Sequence, residues 1–158
     1  MVAPVKRKNN LMIITSPFGE REYKGERRFH SGVDLRSVDF DNGKLQKIQT
    51  PENCIVLRFG TDQHDNDFLV VKPMISPYDE FKFIHVTLEQ SVKQAGVVLD
   101  EGHFIGYTQI KGQSEAHHLH FETWKTIDGN IEAVDPRLYF NQNDIKYKFK
   151  GDSTIQGE

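Results

Sequence analysis

The stretch His117-His118-Leu119-His120-Phe121-Glu122 alternates polar and apolar residues as a half-buried β-strand does. Side chains two residues apart in a strand project from the same face. His118 and His120 should therefore point one way, while Leu119 and Phe121 point the other way into a core. Neutral imidazole is the commonest metal ligand, so two histidines on one face favour a metal site. Taken alone, the pattern also fits a strand that is simply rich in histidine.

The composition indicates a single globular domain with no strong electrostatic preference. The chain has 158 residues, of which 37% are hydrophobic and 27% are charged, and it contains 11 Phe. A domain of this size buries roughly 70% of its unfolded surface. The formal net charge of −3 argues against nucleic acid and anionic membranes as partners. The basic clusters at 6–8 and 27–28 are interpreted as solvated surface.

Neither the cysteine content nor the hydropathy assigns a cellular compartment. Cys54 is the only cysteine, so no disulfide can form within the chain, and its apolar neighbours indicate a strand residue and not a nucleophile. The longest early apolar run, residues 11–14, is too short for a signal sequence or a membrane span. We expect a chain with no membrane span that is either made without a signal or has lost one.

Short runs rich in β-branched and aromatic residues recur along the chain, separated by turn signals. This spacing predicts a mainly β single domain, an antiparallel sandwich or barrel with at most short helices, such as one over 87–94. The polar segments 1–10 and 150–158 are expected to fray, which leaves 11–145 as the domain. The predicted strands are 11–15, 54–59, 68–72, 81–87, 97–99, 104–108 and 118–124.

Two further segments contain candidate metal ligands or catalytic groups. Residues 29–35, Phe-His-Ser-Gly-Val-Asp-Leu, place His30 and Asp34 four apart, on one face of a predicted strand whose apolar residues face away. His85 lies within the apolar run 83–86. Considered separately, the first segment is interpreted more simply as a half-buried strand on which His30 and Asp34 are exposed. His85, considered alone, is interpreted as a histidine of the core or of a sheet edge.

In their order along the chain, these segments resemble the lysostaphin-type (LytM-like) zinc endopeptidases, which cut the peptide bridges of peptidoglycan. The resemblance runs from about residue 15 to 140. Residues 15–21 are similar to the family's Ser-x-Phe-Gly-x-Arg segment, and 134–139 match its closing Asp-Pro-x-x-Tyr. The spacing from Ile105-Gly106 to His118 also fits the family without a gap. The resemblance implies a β-rich fold of the duplicated-hybrid-motif type, with the endopeptidase domain over 11–145.

The resemblance also implies a role for each candidate residue. His30, Asp34 and His120 correspond to the ligands of one zinc ion per chain, and three protein ligands leave the open position of a catalytic zinc. His118 would act as general base and His85 would stabilise the oxyanion, although the two roles could be exchanged. The chain contains no His-Glu-x-x-His, so the glutamate base of many zinc proteases is absent.

Several residues near the predicted site depart from the family pattern or have more than one possible role. His117 stands where the family usually has Pro, Ala116 where Gly is usual, and Gln109 replaces a common glycine, all of which bear on the shape of the substrate groove. Glu122 shares the histidine face and is either an orienting partner of a ligand or a surface glutamate. His64 lies in an acidic turn that lacks the pattern of a calcium loop.

The sequence thus predicts a zinc-dependent endopeptidase whose partner is a peptidoglycan peptide at the bacterial cell wall. Both a secreted protein and a phage-borne lysin fit this activity. The alternatives are a non-catalytic regulatory or scaffold module of the same family, a non-haem iron oxygenase with two histidines and a carboxylate, and a cupin-like binding barrel. The spacing His-x-x-x-Asp disfavours the oxygenase, and the position of Glu122 disfavours the cupin.

Overall fold

The computed structural model describes residues 1–110 and 116–156, which form a mainly β fold with one short α-helix. The prediction of a mainly β domain with at most short helices is confirmed. No helix in these ranges is long and apolar enough to cross a membrane. The strands are β1 (Met12–Ser16), β2 (Gly19–Tyr23), β3 (Glu26–His30), β4 (Val33–Arg36), β5 (Ile48–Gln49), β6 (Cys54–Thr61), β7 (Asp67–Pro73), β8 (Glu80–Ile84), β9 (Val86–Leu88), β10 (Val98–Leu99), β11 (Phe104–Thr108), β12 (His118–Ile127), β13 (Asn130–Val134) and β14 (Tyr147–Phe149); the helix is α1 (Pro136–Gln142).

The strands assemble into one large sheet and two small ones. The large sheet has the order β10-β6-β7-β8-β12-β4-β1-β14, and β13 pairs with the outer part of β12. Its neighbours are antiparallel except for β1 and β14, which run parallel. The strands β5, β11 and β9 form a second sheet, and β2 and β3 form a separate hairpin, which we call the arm. In the large sheet, β12 lies between β8 and β4, so the histidine-rich strand is central.

Each of the seven predicted strands is present, with three differences in detail. The segment 81–87 is interrupted at His85, which separates β8 from β9. The helix expected over 87–94 is only a single 3₁₀ turn, Gln90–Val92. Residues 29–35 are not one strand as expected, because Ser31 and Gly32 separate β3 in the arm from β4 in the large sheet. The predicted spacing from Ile105-Gly106 to His118 includes residues 111–115, which lie outside the described residues.

The sequence pattern did not reveal α1, although its signals are present. Asp135 caps the helix by accepting a hydrogen bond from the Arg137 amide at 3.0 Å, and Pro136 occupies the first turn. Burial explains why so short a helix is stable, since Tyr139 and Phe140 are fully buried beneath the large sheet.

The apolar face of β12 is buried in the centre of the core. Leu119 and Phe121 are inaccessible to solvent. The Phe121 ring lies 5.3 Å from the Phe83 ring and 5.9 Å from the stacked Phe140 ring, centroid to centroid. Burying one large side chain contributes about 1.5–3 kcal/mol, so this face strongly favours one orientation of the strand. The same orientation turns His118 away from the core, as the alternation predicted.

Parts of both terminal segments pack against the sheets. Residues 1–10 were expected to fray, but Ala3 and Val5 are fully buried and Val5 forms a β-bridge with Ile48. Near the other end, Gln156 exchanges backbone hydrogen bonds with β14 at 3.1 and 2.6 Å. Apolar residues among the polar ones explain the difference at the N-terminus, because burying them stabilises a segment that composition alone marks as loose.

A close backbone crossing at Gly32 joins the arm to the large sheet. A Cβ atom at this position would lie 2.3 Å from the carbonyl oxygen of Phe121 and 2.9 Å from Cγ of Glu122. Only glycine allows this approach, so the crossing places the end of β3 directly beside β12. The crossing thereby brings His30 close to His120.

We expect Gly32→Ala to destabilise the protein by about 2–3 kcal/mol, because the added methyl group must displace the β12 backbone. Equilibrium unfolding in denaturant measures this loss. Gly129→Ala is the matched control: Gly129 has φ +84° in the turn between β12 and β13, and a Cβ there would meet nothing within 4 Å. Only backbone strain of about 1 kcal/mol is expected for the control. Equal losses in the two variants would contradict the steric role of Gly32.

Candidate metal centre

Three side chains that are distant in sequence converge on one point beside β12. His30 Nε2 lies 3.2 Å from His120 Nδ1 and 3.3 Å from Asp34 Oδ1, and His120 Nδ1 lies 3.0 Å from the same oxygen. Within residues 1–110 and 116–156, this is the one group of His, Cys, Asp and Glu side chains close enough together to hold a metal ion. The structure thus brings together all three residues that the sequence resemblance identified.

The geometry of the three donor atoms fits a tetrahedral ion. Two ligands bound about 2.0–2.1 Å from a zinc ion with tetrahedral angles lie roughly 3.3 Å apart. The observed separations of 3.0–3.3 Å need little adjustment. Two imidazoles and one carboxylate are also donors that zinc accepts, and they leave a fourth position open.

Outer hydrogen bonds orient both imidazoles so that a lone pair faces the shared point. His30 Nδ1 lies 2.8 Å from the carbonyl oxygen of Pro17, so it holds the proton of the neutral ring and leaves Nε2 as an acceptor. His120 Nε2 lies 2.7 Å from Glu122 Oε2, so Nδ1 is the acceptor when this ring is neutral. These tautomers are assigned from the hydrogen-bond partners.

Glu122 is a buried partner of His120 and not a surface residue. Its carboxylate also accepts hydrogen bonds from Ser31 Oγ and Trp124 Nε1, each at 2.7 Å. Lys82 Nζ lies 4.0 Å from the same carboxylate. Of the two interpretations of Glu122, the orienting one matches this arrangement. Sequence reasoning missed Ser31 and Trp124, whose only signal is their position near the candidate ligands.

Pairing across strands positions Asp34 opposite His120. The register of β4 and β12 pairs these two residues directly, and β8 lies on the other side of β12 with Ile84 opposite His120. Directly opposed side chains in an antiparallel pair have Cβ atoms about 4.5–5.5 Å apart, which suits a shared ligand. Arg21 Nη1 approaches the second oxygen of Asp34 at 3.7 Å. The carboxylate is therefore held from two sides.

The charges of the group stabilise one another without a metal. Burial lowers the pKa of His120, but hydrogen bonds to Asp34 and Glu122 outweigh burial and raise it to about 9. Burial raises the pKa of Glu122, but the bond to His120 outweighs burial and lowers it to about 2. The pKa of Asp34 is likewise lowered, because its bonds to His120 and His30 outweigh burial. The metal-free centre therefore contains a protonated His120 between two carboxylates at neutral pH.

His118 and His85 lie beside the three candidate ligands but are not part of the group that could hold a metal ion. His118 Nε2 is 3.8 Å from Asp34 Oδ1, and its ring centroid lies 5.4 Å from that of His85. Burial is the main cause that lowers the pKa of His118, with Asp34 opposing it. Burial, followed by the neighbouring His118 and His120, lowers the pKa of His85 to about 4. Both side chains are therefore neutral at pH 7, when each carries one N–H and one acceptor nitrogen.

His85 adopts a backbone conformation that is unusual for its residue type. Its φ is +72°, in the left-handed region where a side chain costs roughly 1–2 kcal/mol. Two hydrogen bonds hold this conformation: the His85 amide donates to the Asp67 carbonyl, and the Gln109 amide donates to the His85 carbonyl, each at 2.9 Å. Its Nδ1 is buried without a hydrogen-bond partner among the described residues. Strain and an unsatisfied atom together are typical of a functional position.

The candidate centre lies in a cleft of about 740 Å³. The arm forms one wall, and the turn between β6 and β7 forms the other. That turn contributes His64, which the sequence placed in a loop without a role, together with Asp62 and Asn66. From the arm, the charged residues that line the cleft are Arg21, Lys24 and Arg28.

Other singled-out residues lie away from the centre. His117 Nδ1 is 3.4 Å from Thr108 Oγ1 of β11. His103 Nε2 is 3.0 Å from Ser91 Oγ at the surface. Cys54 is fully buried, and burial together with Glu52 raises the pKa of its thiol to about 12. A neutral buried thiol is not a nucleophile, in agreement with the sequence interpretation.

We expect zinc binding to release about one proton at pH 7.5, because the metal must displace the proton that His120 holds up to pH about 9. The sign follows from the raised pKa: as pH rises toward 9, the competing proton is lost and apparent zinc affinity increases, levelling off above that value. Titration calorimetry in two buffers of different ionisation enthalpy measures the released proton. Zinc binding that is independent of pH between 7 and 9 would contradict the assignment.

We expect Glu122→Gln to weaken zinc binding by roughly 10–100-fold while the fold is retained, because a neutral amide no longer orients and polarises His120. The same variant should release less than one proton, since the pKa of His120 falls when its carboxylate partner is removed. Competition with a chelator of known affinity measures the first effect. Glu132→Gln, an exposed glutamate on β13, is the control and should change neither quantity.

Comparison with solved structures places this architecture among known proteins. Neither a protein-family model nor a curated protein sequence matches the chain. The catalytic domain of the antimicrobial peptidase lysostaphin from Staphylococcus simulans is similar with a TM-score of 0.56 and 17% identity, covering 80% of this chain and 87% of that chain. A catalytic-domain mutant of the prophage-encoded M23 protein EnpA from Enterococcus faecalis gives a TM-score of 0.61 and 18% identity, covering 87% and 96%.

A third similar structure belongs to a protein assembly. A chain of the SpoIIQ–SpoIIIAH pore-forming complex has a TM-score of 0.66 and 18% identity, covering 87% of this chain and 89% of that chain. At these identities the likeness establishes the fold. The resemblance noticed in the sequence is therefore confirmed at the level of architecture: the chain has the fold of the lysostaphin- and LytM-type M23 proteins.

Proposed function

We propose that the protein is a zinc-dependent endopeptidase that hydrolyses peptide cross-links of bacterial peptidoglycan. The observation that carries this proposal is the convergence of His30, Asp34 and His120 within 3.0–3.3 Å, beside two further histidines in an open cleft. The likeness to the antimicrobial peptidase lysostaphin supports peptide-bond hydrolysis as the reaction.

His30, Asp34 and His120 would hold the ion, one per chain. When bound, zinc supplies a Lewis acid that polarises a carbonyl and lowers the pKa of a water molecule toward ~7. Around it, the protein's own groups prepare the site: Pro17 and Glu122 fix the two imidazole rings, and Arg21 holds the far oxygen of Asp34. The ligands are thereby oriented before any substrate arrives.

His118 is the residue we assign as general base. Its ring is neutral near pH 7, because burial lowers its pKa, so it accepts a proton from the attacking water. Its Nε2 lies 3.8 Å from Asp34 Oδ1, the oxygen that His30 and His120 also approach, and this proximity supports the assignment. The same imidazole can then deliver the proton to the leaving amine, which returns His118 to its neutral form. No covalent acyl-enzyme is required.

His85 is the residue we assign to stabilise the oxyanion. Because its pKa is about 4, the ring stays neutral, and one of its nitrogens donates a hydrogen bond to the substrate carbonyl oxygen as negative charge develops. The strained backbone at φ +72° aims this ring at the cleft and not into the core. A donor already held in place needs no reorganisation during the reaction.

We expect His118→Ala to lower turnover by roughly 10²–10⁴-fold while zinc content is unchanged, because the base is lost and all three ligands remain. Release of peptides from purified peptidoglycan measures turnover, and elemental analysis measures zinc. His117→Ala is the control, since this neighbour contacts Thr108 and is not among the residues that line the cleft, and it should retain activity. Near-normal turnover in His118→Ala would show that another group is the base.

We expect His120→Ala to lose both zinc and cleavage, because one of three ligands is removed and Asp34 and Glu122 lose their shared partner. Circular dichroism checks that the variant folds. Full zinc content in this variant would contradict the ligand assignment.

A second candidate function is a non-catalytic module that binds a protein partner. The likeness to a chain of the SpoIIQ–SpoIIIAH complex, with a TM-score of 0.66, is the observation that favours it. The complete set of donors and the strained, unsatisfied His85 favour the enzyme, since an assembly module has no need of either. Zinc-loaded protein that releases no peptide from any cell wall would support the module instead.

The location of the protein follows from the proposed substrate. A peptidoglycan hydrolase acts at the bacterial cell wall, either as a secreted protein or as a phage-borne lysin, and one similar structure is prophage-encoded. Mass spectrometry of the peptides released from walls of known chemistry identifies the bond that is cut.

A further inference from the structure

The arm places two cations directly opposite each other above the candidate centre. Arg21 on β2 and Arg28 on β3 are paired in register, and both line the cleft together with Lys24 at the turn. Like charges at directly opposed positions destabilise a strand pair. A local arrangement that works against stability is expected where function requires it. Arg27 and Arg28 are both exposed, in agreement with the sequence interpretation of 27–28 as solvated surface, and Arg28 also lines the cleft.

Strand alternation separates the two adjacent arginines. Arg27 points to the other face of the arm, where it forms an exposed ion pair with Glu20 at 2.6 Å. Arg28 shares its face with His30, two residues further along β3. The chain thus offers a matched pair of neighbouring arginines, of which only one lines the cleft.

The two cations on the cleft face contact different carboxylates of the protein. Arg21 hydrogen-bonds Ser16 Oγ and lies 3.7 Å from Asp34 Oδ2, so it serves the candidate centre itself. Arg28 bonds Glu26 at 3.1 Å, and their side chains are 53% and 70% exposed. An exposed ion pair of this kind contributes little to stability, so it does not prevent the guanidinium from also binding a carboxylate of a ligand. Arginine binds carboxylates with two parallel hydrogen bonds, which gives direction as well as attraction.

The opposite wall of the cleft carries the opposite charge. Asp62 lines it, and its carboxylate accepts hydrogen bonds from the amides of His64 and Asn66, each at 2.9 Å. A fixed anion on that side repels a second carboxylate and directs it toward the arm. The cleft is therefore polarised across its width.

We propose that Arg28 is a specificity residue that binds a carboxylate of the peptide substrate about two residues from the bond that is cut. The distance follows from strand geometry, since Arg28 and His30 are two positions apart on β3, which is roughly 7 Å along both the arm and an extended peptide beside it. This inference rests on the proposed endopeptidase function and names its substrate class as anionic cross-link peptides, in preference to bridges made only of neutral residues.

The test compares purified peptidoglycan whose free carboxylates have been converted to amides with mock-treated peptidoglycan. Wild-type protein should release peptides from the mock-treated wall roughly 10–100-fold faster, the range expected for a hydrogen bond to a charged group. Arg28→Gln should remove most of this preference by slowing only the reaction on the mock-treated wall. Arg27→Gln is the control and should keep both the rate and the preference. Mass spectrometry should find a free carboxylate about two residues from each cut bond.

Binding of the zinc-loaded His118→Ala variant to the same two walls separates this inference from the proposed function. Equal cleavage of both walls by wild-type protein would overturn the role of Arg28 and leave the endopeptidase standing. If neither wall is cut, but binding depends on carboxylates and on Arg28, the endopeptidase fails and the anionic recognition stands. If neither wall is cut and binding depends neither on carboxylates nor on Arg28, the endopeptidase function and the role of Arg28 are both overturned.

Discussion

The register between β4 and β12 is the constraint on which the candidate site depends. It pairs His120 with Asp34 on one face, while Leu119 and Phe121 fill the core on the other. A shift of one residue would exchange the two faces and bury the histidines in place of the apolar side chains. The burial of two large apolar residues therefore also determines where the donor atoms lie. Stability of the core and geometry of the site have a common cause.

Charge balance is the second requirement, because four ionisable side chains lie close together with little exposure to solvent: His30, Asp34, His120 and Glu122. His120 lies between Asp34 and Glu122, and each carboxylate has further donors: Arg21 for the first, Ser31 and Trp124 for the second. Removing one member of such a network leaves an uncompensated buried charge, which costs several kcal/mol. The network explains how a protein can keep ligands in position before a metal binds. It would also couple metal binding to loss of the His120 proton.

The floor and the walls of the cleft come from different parts of the fold. Its floor is the large sheet, which holds His118 and the candidate ligands, and the strained His85 lies at the break between β8 and β9. Its walls are the two-stranded arm and the turn between β6 and β7. Reaction chemistry needs fixed geometry, whereas substrate selection depends on the groups that line the walls. Under the proposed function, hydrolysis would take place on the sheet, and the proposed recognition of an anionic peptide would lie on the arm.

The sequence by itself determined the local features of this protein. Alternation identified β12 and its two faces, turn signals separated the strands, and the order of motifs identified His30, Asp34 and His120 as one group. Only the tertiary structure decided the rest: the break at Ser31 and Gly32, the packing of residues 1–5, the buried bond between Glu122 and His120, and the side of the arm on which Arg28 lies. The physical reason is the range of the interactions. Alternation and turn chemistry act between near neighbours, whereas backbone crossings, buried hydrogen bonds and the walls of a cleft arise from contacts between segments that are far apart in the chain.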